Sequence, residues 1–225
     1  MPIPAKYEPE LINDLSKEGW FEWFLDYFTD PNVLQVPYLD LTIQLDVTDA
    51  YAIYQDSQVS GSTFFGFLLW HLVQTLRSHT SFNMRFVENN WYILNNPPIF
   101  IPVAVGGKQR FWNLVIESVV NTSYEDFIDI YRFRLNQARN CQTERIDAQT
   151  YSLAYCIGNL PNLQFSALTL HWHLNAMIGQ PFFYFGKRYF LENRFLIPFA
   201  AKLHHACADP FVFDLLVRDL QARFS

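Results

Sequence analysis

Between residues 38 and 47 apolar Leu39, Leu41, Ile43 and Leu45 alternate without a slip against polar Asp40, Thr42, Gln44 and Asp46. A period of two is the signature of a strand with one buried face, and a shift of one residue would turn every leucine to water. Whatever fold the chain adopts must therefore supply a layer to cover that face. Residues 63–77 are apolar on nearly every side and long enough for a helix, which suits deep burial. The spacing predicts a helix over residues 10–28 and a hairpin of 84–88 with 91–94 around Asn89-Asn90, since asparagine tolerates the positive φ of a tight turn. A second strand pair, 99–105 and 111–118, flanks Gly106-Gly107. Ser123 with Asp126 resembles a capping box opening a helix to about residue 139. Strands are then expected at 151–157, 165–173, 182–191 and 194–204, with a last helix at 210–224. Strands and helices mix without strict βαβ alternation, so the fold class is α+β, a mixed β-sheet with flanking helices.

Half the 225 residues are hydrophobic, and 22 phenylalanines with 12 tyrosines exclude a disordered chain and suit an aromatic core or subunit interface. No Gly/Ser-rich or charge-rich linker divides the sequence, which reads as one domain over 1–225. The longest apolar runs are far shorter than the ~20 residues of a membrane helix, and no basic segment precedes an apolar one near the N-terminus. No membrane association is expected. Cys141, Cys156 and Cys207 are odd in number and lack metal-site spacing, so free thiols in a reducing compartment follow, and a cytoplasmic protein is expected. The net charge of −6 argues against nucleic-acid binding but leaves room for a small anionic cofactor met by local cations such as Lys187-Arg188 or Lys108 to Arg110.

Chemistry concentrates in His204-His205-Ala206-Cys207-Ala208-Asp209-Pro210, where a strand gives way to a helix. Histidine titrates near neutrality and can take and return a proton. Asp209-Pro210 also reads as a plain helix start, aspartate capping and proline filling the first turn. His171 and His173 share one strand face, but no carboxylate or cysteine stands at ligand spacing, so pocket or core packing is the reading and no metal is expected. The rings of Trp20, Phe21, Trp23, Phe24, Tyr27 and Phe28 read as core and interface, with one or two lining a pocket.

His204-His205-x-x-x-Asp209 resembles the His-His-x-x-x-Asp-Gly motif of the chloramphenicol acetyltransferase family, which the dihydrolipoyl acyltransferase cores share. The similarity runs collinearly from about Leu39 to Phe224, through the strand Leu39 to Val47 followed by Thr48, the Asn89-Asn90 hairpin, Phe111 to Asn121, the Leu160-Pro161 step to Phe165, Lys187, Arg194 and Pro198. It implies a trimer with sites between subunits and a CoA-dependent O-acyltransferase that uses acetyl-CoA or another acyl-CoA and a small-molecule hydroxyl acceptor. His205 falls on the base, which deprotonates the hydroxyl that attacks the thioester. Asp209 falls on a buttressing aspartate whose partner position is Lys17, a cation without arginine's fork. Lys187 matches a family lysine, and with Arg188 is expected to meet CoA phosphates. The chain departs from the pattern at three places. The oxyanion serine falls on Gly158, a substrate-side threonine falls on Tyr184, and Pro210 replaces a glycine. Those departures keep a second expectation open, a scaffold of this type repurposed for hydrophobic small-molecule binding or for CoA-independent base chemistry such as cyclisation or elimination.

Overall fold

The computed structural model describes residues 2–13, 25, 27–30, 32–57, 59–119, 121–171 and 178–224. In chain order these hold β1 (Pro9–Leu11), β2 (Tyr38–Asp46), α1 (Thr48–Asp56), α2 (Phe64–Arg77), α3 (Thr80–Asn83), β3 (Met84–Val87), β4 (Asn90–Leu94), β5 (Ile99–Gly106) and β6 (Arg110–Ile116). There follow α4 (Tyr124–Arg139), α5 (Ala148–Leu153), β7 (Tyr155–Asn159), β8 (Phe182–Phe185), β9 (Tyr189–Leu191), β10 (Arg194–His204) and α6 (Pro210–Ala222). The main sheet has the order β2-β10-β8-β7-β5-β6, with β9 also paired to β10, and a small sheet has the order β1-β4-β3. Strands β5, β7 and β8 run parallel to one another, and the remaining pairs are antiparallel. The mixed sheet with flanking helices is the expected α+β architecture.

Helices α2, α4 and α6 lay Leu69, Leu72, Phe127, Ile128, Leu216 and Leu220 on one face of the main sheet, against Leu45, Ile157, Phe183, Phe185, Phe199 and Leu203. Parity then sends Asp40, Thr42 and Gln44 of β2, Ala200, Lys202 and His204 of β10, Phe182 and Tyr184 of β8, and Cys156 and Gly158 of β7 to the other face. Three helices begin on side-chain caps that the sequence shows. Thr63 accepts from the Gly66 N–H at 3.0 Å, Ser123 from Asp126 at 3.1 Å and Asp209 from Val212 at 2.8 Å.

Four expectations need correction. Residues 10–28 are not one helix: Glu10 and Leu11 pair with Ile93 and Tyr92 in the small sheet, and among the described residues helical backbone there is confined to Leu25 and 27–29. Residues 151–153 are helical because Asp147 caps α5, accepting the Thr150 N–H at 2.8 Å, and the strand begins only at Tyr155. Residues 165–171 are not a strand. They run past β2 and bond to its side chains instead of a ladder: Gln44 donates to the Phe165 carbonyl at 3.2 Å, and the N–H groups of Leu168 and Leu170 reach Thr42 at 3.3 Å and Asp40 at 3.5 Å. His173 lies outside the described residues. Finally, residues 182–191 break into two strands at Gly186, where a Cβ would stand 2.8 Å from the Phe165 ring and 2.9 Å from the Leu163 carbonyl, so only glycine lets that segment approach.

One buried cation joins the two sheets. Arg85, 1% exposed, donates to the carbonyls of Phe82, Met84 and Gly179 at 2.8–2.9 Å and to those of Leu153 and Ala154 at 3.2 and 3.4 Å. Burial pulls its guanidinium down to about 10, which leaves it charged at neutral pH.

Candidate active site

The turn after β10 is shaped by backbone bonds. The His205 N–H continues the β2 ladder one residue beyond the strand, donating to the Pro37 carbonyl at 2.8 Å, and the Cys207 and Ala208 N–H groups fold back on the His204 carbonyl at 2.9 and 3.1 Å. The two adjacent histidines thereby enter different surroundings. His204 is 2% exposed, sets its ring edge-on to Tyr38 at 5.2 Å, and accepts the Ala206 N–H on Nδ1 at 3.2 Å. Burial, helped by the neighbouring His205, pushes its imidazole down to about 3, so it is neutral and a weak base near pH 7. His205 is half-buried and stacks on Phe28, centroids 4.1 Å apart and planes at 15°. That contact places it against a second apolar cluster of Leu25, Phe28, Met84, Trp91, Ala206 and Cys207. The Cys207 thiol, pushed up to about 12 by burial, is inert.

Asp209 caps α6 and Pro210 occupies the first turn, as a plain helix start requires. Lys17, the expected cation for Asp209, lies outside the described residues. So do Trp20, Phe21, Trp23 and Phe24.

Gly158 and Tyr184 are direct register partners on the parallel strands β7 and β8. The tyrosine ring lies on the glycine: a Cβ at residue 158 would stand 2.3 Å from Cε1 and 2.4 Å from Cδ1 of Tyr184. The missing side chain and the large one are thus a single exchange of volume between two strands. Burial holds the Tyr184 phenol well above the usual range and pushes the neighbouring Cys156 thiol up to about 12. His205 is not part of this group. Ala200, the register partner of Tyr184, precedes it by five residues, about 16 Å of strand, and Tyr184 lies on the face away from the helices.

Lys187 and Arg188 are exposed on the turn between β8 and β9, and the Lys187 N–H donates to the Leu163 carbonyl at 2.8 Å. The Arg188 guanidinium stands over the rings of Tyr51 and Phe64 at 5.5 Å and Phe195 at 5.8 Å. It closes one side of a cleft of about 430 Å³ that reaches Asn159, the residue after Gly158. His171 is exposed, which removes it from the core, and among the described residues no group of three or more His, Cys, Asp or Glu is gathered to hold a metal.

Two features of the sheet face away from the helices escaped the sequence reading. Lys202, 5% exposed, pairs with Asp40 across the β2–β10 ladder at 3.1 Å with its Nζ 4.7 Å over the Tyr38 ring. Cys156 was set aside as an unpaired thiol, although a period of two from Gly158 would have put it on the same face.

A family model described as chloramphenicol acetyltransferase matches residues 10–221. The chain is 24% identical over 219 residues to a chloramphenicol acetyltransferase of Staphylococcus aureus, covering 93% of this chain and 94% of that protein. It is 20% identical over 214 residues to one of Clostridium butyricum, covering 93% and 91%. Among solved structures, a chloramphenicol acetyltransferase superposes with a TM-score of 0.76 at 16% identity over 96% of this chain and all of that one. The cubic core of the pyruvate dehydrogenase multienzyme complex gives 0.63 at 16% identity over 100% and 96%. The structural likenesses speak to fold alone, but the family match spans nearly the whole sequence, and the chain belongs to the chloramphenicol acetyltransferase family of acyltransferase enzymes.

Proposed function

We propose that the protein moves an acetyl or acyl group from CoA to a hydroxyl of a small molecule, with His205 as general base, as a homotrimer whose sites are each shared by two subunits. The observation that carries this reading is the split between the two histidines. A buried imidazole pushed down to about 3 is a poor base, while its half-buried neighbour stands at a strand end against an aromatic ring. His205 takes the proton of the acceptor hydroxyl, whose oxygen attacks the thioester carbonyl, and the tetrahedral oxyanion collapses to expel the CoA thiol. In this reading Tyr184 supplies the oxyanion with the donor that Gly158 lacks. Lys187 and Arg188 meet the CoA phosphates at the mouth of the 430 Å³ cleft, and Lys17 pairs with Asp209.

Support for a shared site comes from the sheet itself. With His205 and Tyr184 separated by about 16 Å of strand and Tyr184 turned to the face away from the helices, the base of one copy needs the sheet face of another. Release of free thiol from acetyl-CoA across a panel of alcohols tests the activity. His205→Ala should lower turnover by about 10² or more and leave CoA affinity nearly unchanged, because a general base acts on the transition state. Equal rates for wild type and His205→Ala would sink the assignment, and a stable monomer by light scattering would remove the shared site.

A further inference from the structure

Lys202 on β10 is 5% exposed, and its ammonium meets two neighbours on β2. Nζ stands 3.1 and 3.4 Å from the carboxylate oxygens of Asp40, its register partner, and 4.7 Å from the centroid of the Tyr38 ring. Tyr38 in turn is the register partner of His204, and the two rings meet edge to face at 5.2 Å. The residue before it, Pro37, accepts the His205 N–H at 2.8 Å, the bond that ties the histidine turn to the start of β2. Contacts therefore run without a gap from the ion pair, through one ring, to both histidines.

Taking both charges of such a pair out of water is costly, and apolar side chains of like volume often serve stability as well. What the cation adds is direction. A tyrosine at the first position of a strand can turn about χ1, whereas an ammonium over its π face attracts the ring in one orientation. Asp40 keeps that ammonium in place and itself accepts the Leu170 N–H at 3.5 Å, so the carboxylate is held from both sides. We infer that Lys202 is a positioning residue for the base: its ammonium, fixed by Asp40, clamps the Tyr38 ring against His204 and so holds the strand end from which His205 meets the acceptor hydroxyl. The inference rests on the reading of His205 as general base. Lys202 acts through its neighbours, since three residues of chain, about 10 Å of strand, separate it from His205.

Thiol release from acetyl-CoA, with the alcohol of the panel that wild type turns over fastest, tests this. The variants are Lys202→Met, Tyr38→Leu, the Lys202→Met/Asp40→Asn double variant, and Lys202→Met in the His205→Ala background. Lys202→Met should lower kcat about 10-fold to 100-fold with KM for acetyl-CoA unchanged, the effect of displacing a reacting group by up to about an ångström. Tyr38→Leu should do the same. Lys202→Met/Asp40→Asn leaves no unpaired carboxylate, so it separates lost positioning from lost folding. It should show the same loss in kcat per folded enzyme, with the folded fraction read from urea curves. In the His205→Ala background Lys202→Met should add no further loss. A wild-type kcat in Lys202→Met/Asp40→Asn or in Tyr38→Leu, a raised KM in place of a lowered kcat, or a loss that repeats in full without His205 overturns the inference and leaves the base reading standing. If His205→Ala itself leaves kcat intact, or no alcohol of the panel is acetylated, the base reading falls and the inference falls with it.

Discussion

The turn from His204 to Asp209 and the β7–β8 face reach order by opposite means. In the turn, bonds from the N–H groups of Ala206, Cys207, Ala208 and Val212 all return to His204 or Asp209, within a few residues of their donors. Apart from the His205 N–H, which reaches the Pro37 carbonyl, its form follows from a strand end, a capping aspartate and a proline. On the β7–β8 face the decisive contact joins two strands that are distant in sequence, a tyrosine ring seated where a side chain at residue 158 would stand. Read singly, Gly158 is a lost donor and Tyr184 an oversized substrate contact. Read as a register pair, they are one replacement in which the volume, and on our proposal the donor, now come from the neighbouring strand.

The sharpest way to break this comparison is to remove the phenol. If Tyr184 donates to the oxyanion, Tyr184→Phe should lower kcat for acetyl transfer by about 10² to 10³, the effect of one such donor. Mixing then asks whether the two regions work across subunits. Trimers refolded from equal amounts of His205→Ala and Tyr184→Phe chains contain interfaces where an intact histidine meets an intact tyrosine. Random pairing should restore about a quarter of the wild-type rate. No recovery in mixed trimers of demonstrated composition would mean that both residues act within one chain or that one of them does not act.

Much of the fold was legible because it is local. Residues 38–46 and 194–204 form strands where alternation and turn chemistry set them, and Thr63, Ser123 and Asp209 cap the helices they were expected to open. The errors fall where the partner is remote. Glu10 is drawn into β1 by Ile93, and residues 165–171 are drawn along β2 by Asp40, Thr42 and Gln44, whose polarity was read as a face turned to water. The same assumption hid the Lys202–Asp40 pair. Within the site, local chemistry offered two histidines, and only the family resemblance chose His205. The structure separates the two by burial, which pushes the His204 imidazole down to about 3.

A middle-sized test addresses the volume exchange. Gly158→Ser puts a side chain into a space where Tyr184 atoms lie 2.3 Å from the new Cβ, so the ring must move or the strands must part. Overpacking of this kind costs about 1–3 kcal/mol, read as a lower urea midpoint at unchanged m-value. Tyr184→Thr should relieve the cost in the double variant, giving a midpoint above that of Gly158→Ser alone. Independent, additive effects would show that residues 158 and 184 do not share one space.

A last test separates the two regions by pH. His204 and, in α2, His71 are both neutral in the fold. Burial pushes His204 down to about 3 with help from His205, and pushes His71 down to about 4 with help from the Arg223 charge. Once unfolded, each returns to an ordinary value near 6.5. Below that pH the unfolded chain binds protons that the fold refuses, so stability is full above about 6.5 and falls with acidification until the folded values near 4 and 3 are reached. Each group adds at most about a tenfold change in the folded-to-unfolded ratio per pH unit. For His204 the loss has a local meaning, because protonation removes the Nδ1 acceptor of the Ala206 N–H and with it one bond of the turn that carries His205. On the other face Cys156 and Tyr184 are both pushed upward by burial and stay neutral throughout this range. Urea midpoints between about pH 7 and pH 4 should therefore fall less steeply in His204→Asn and in His71→Leu than in wild type, while Tyr184→Phe keeps the wild-type slope. A slope unchanged in both histidine variants would assign the acid sensitivity to groups elsewhere in the fold.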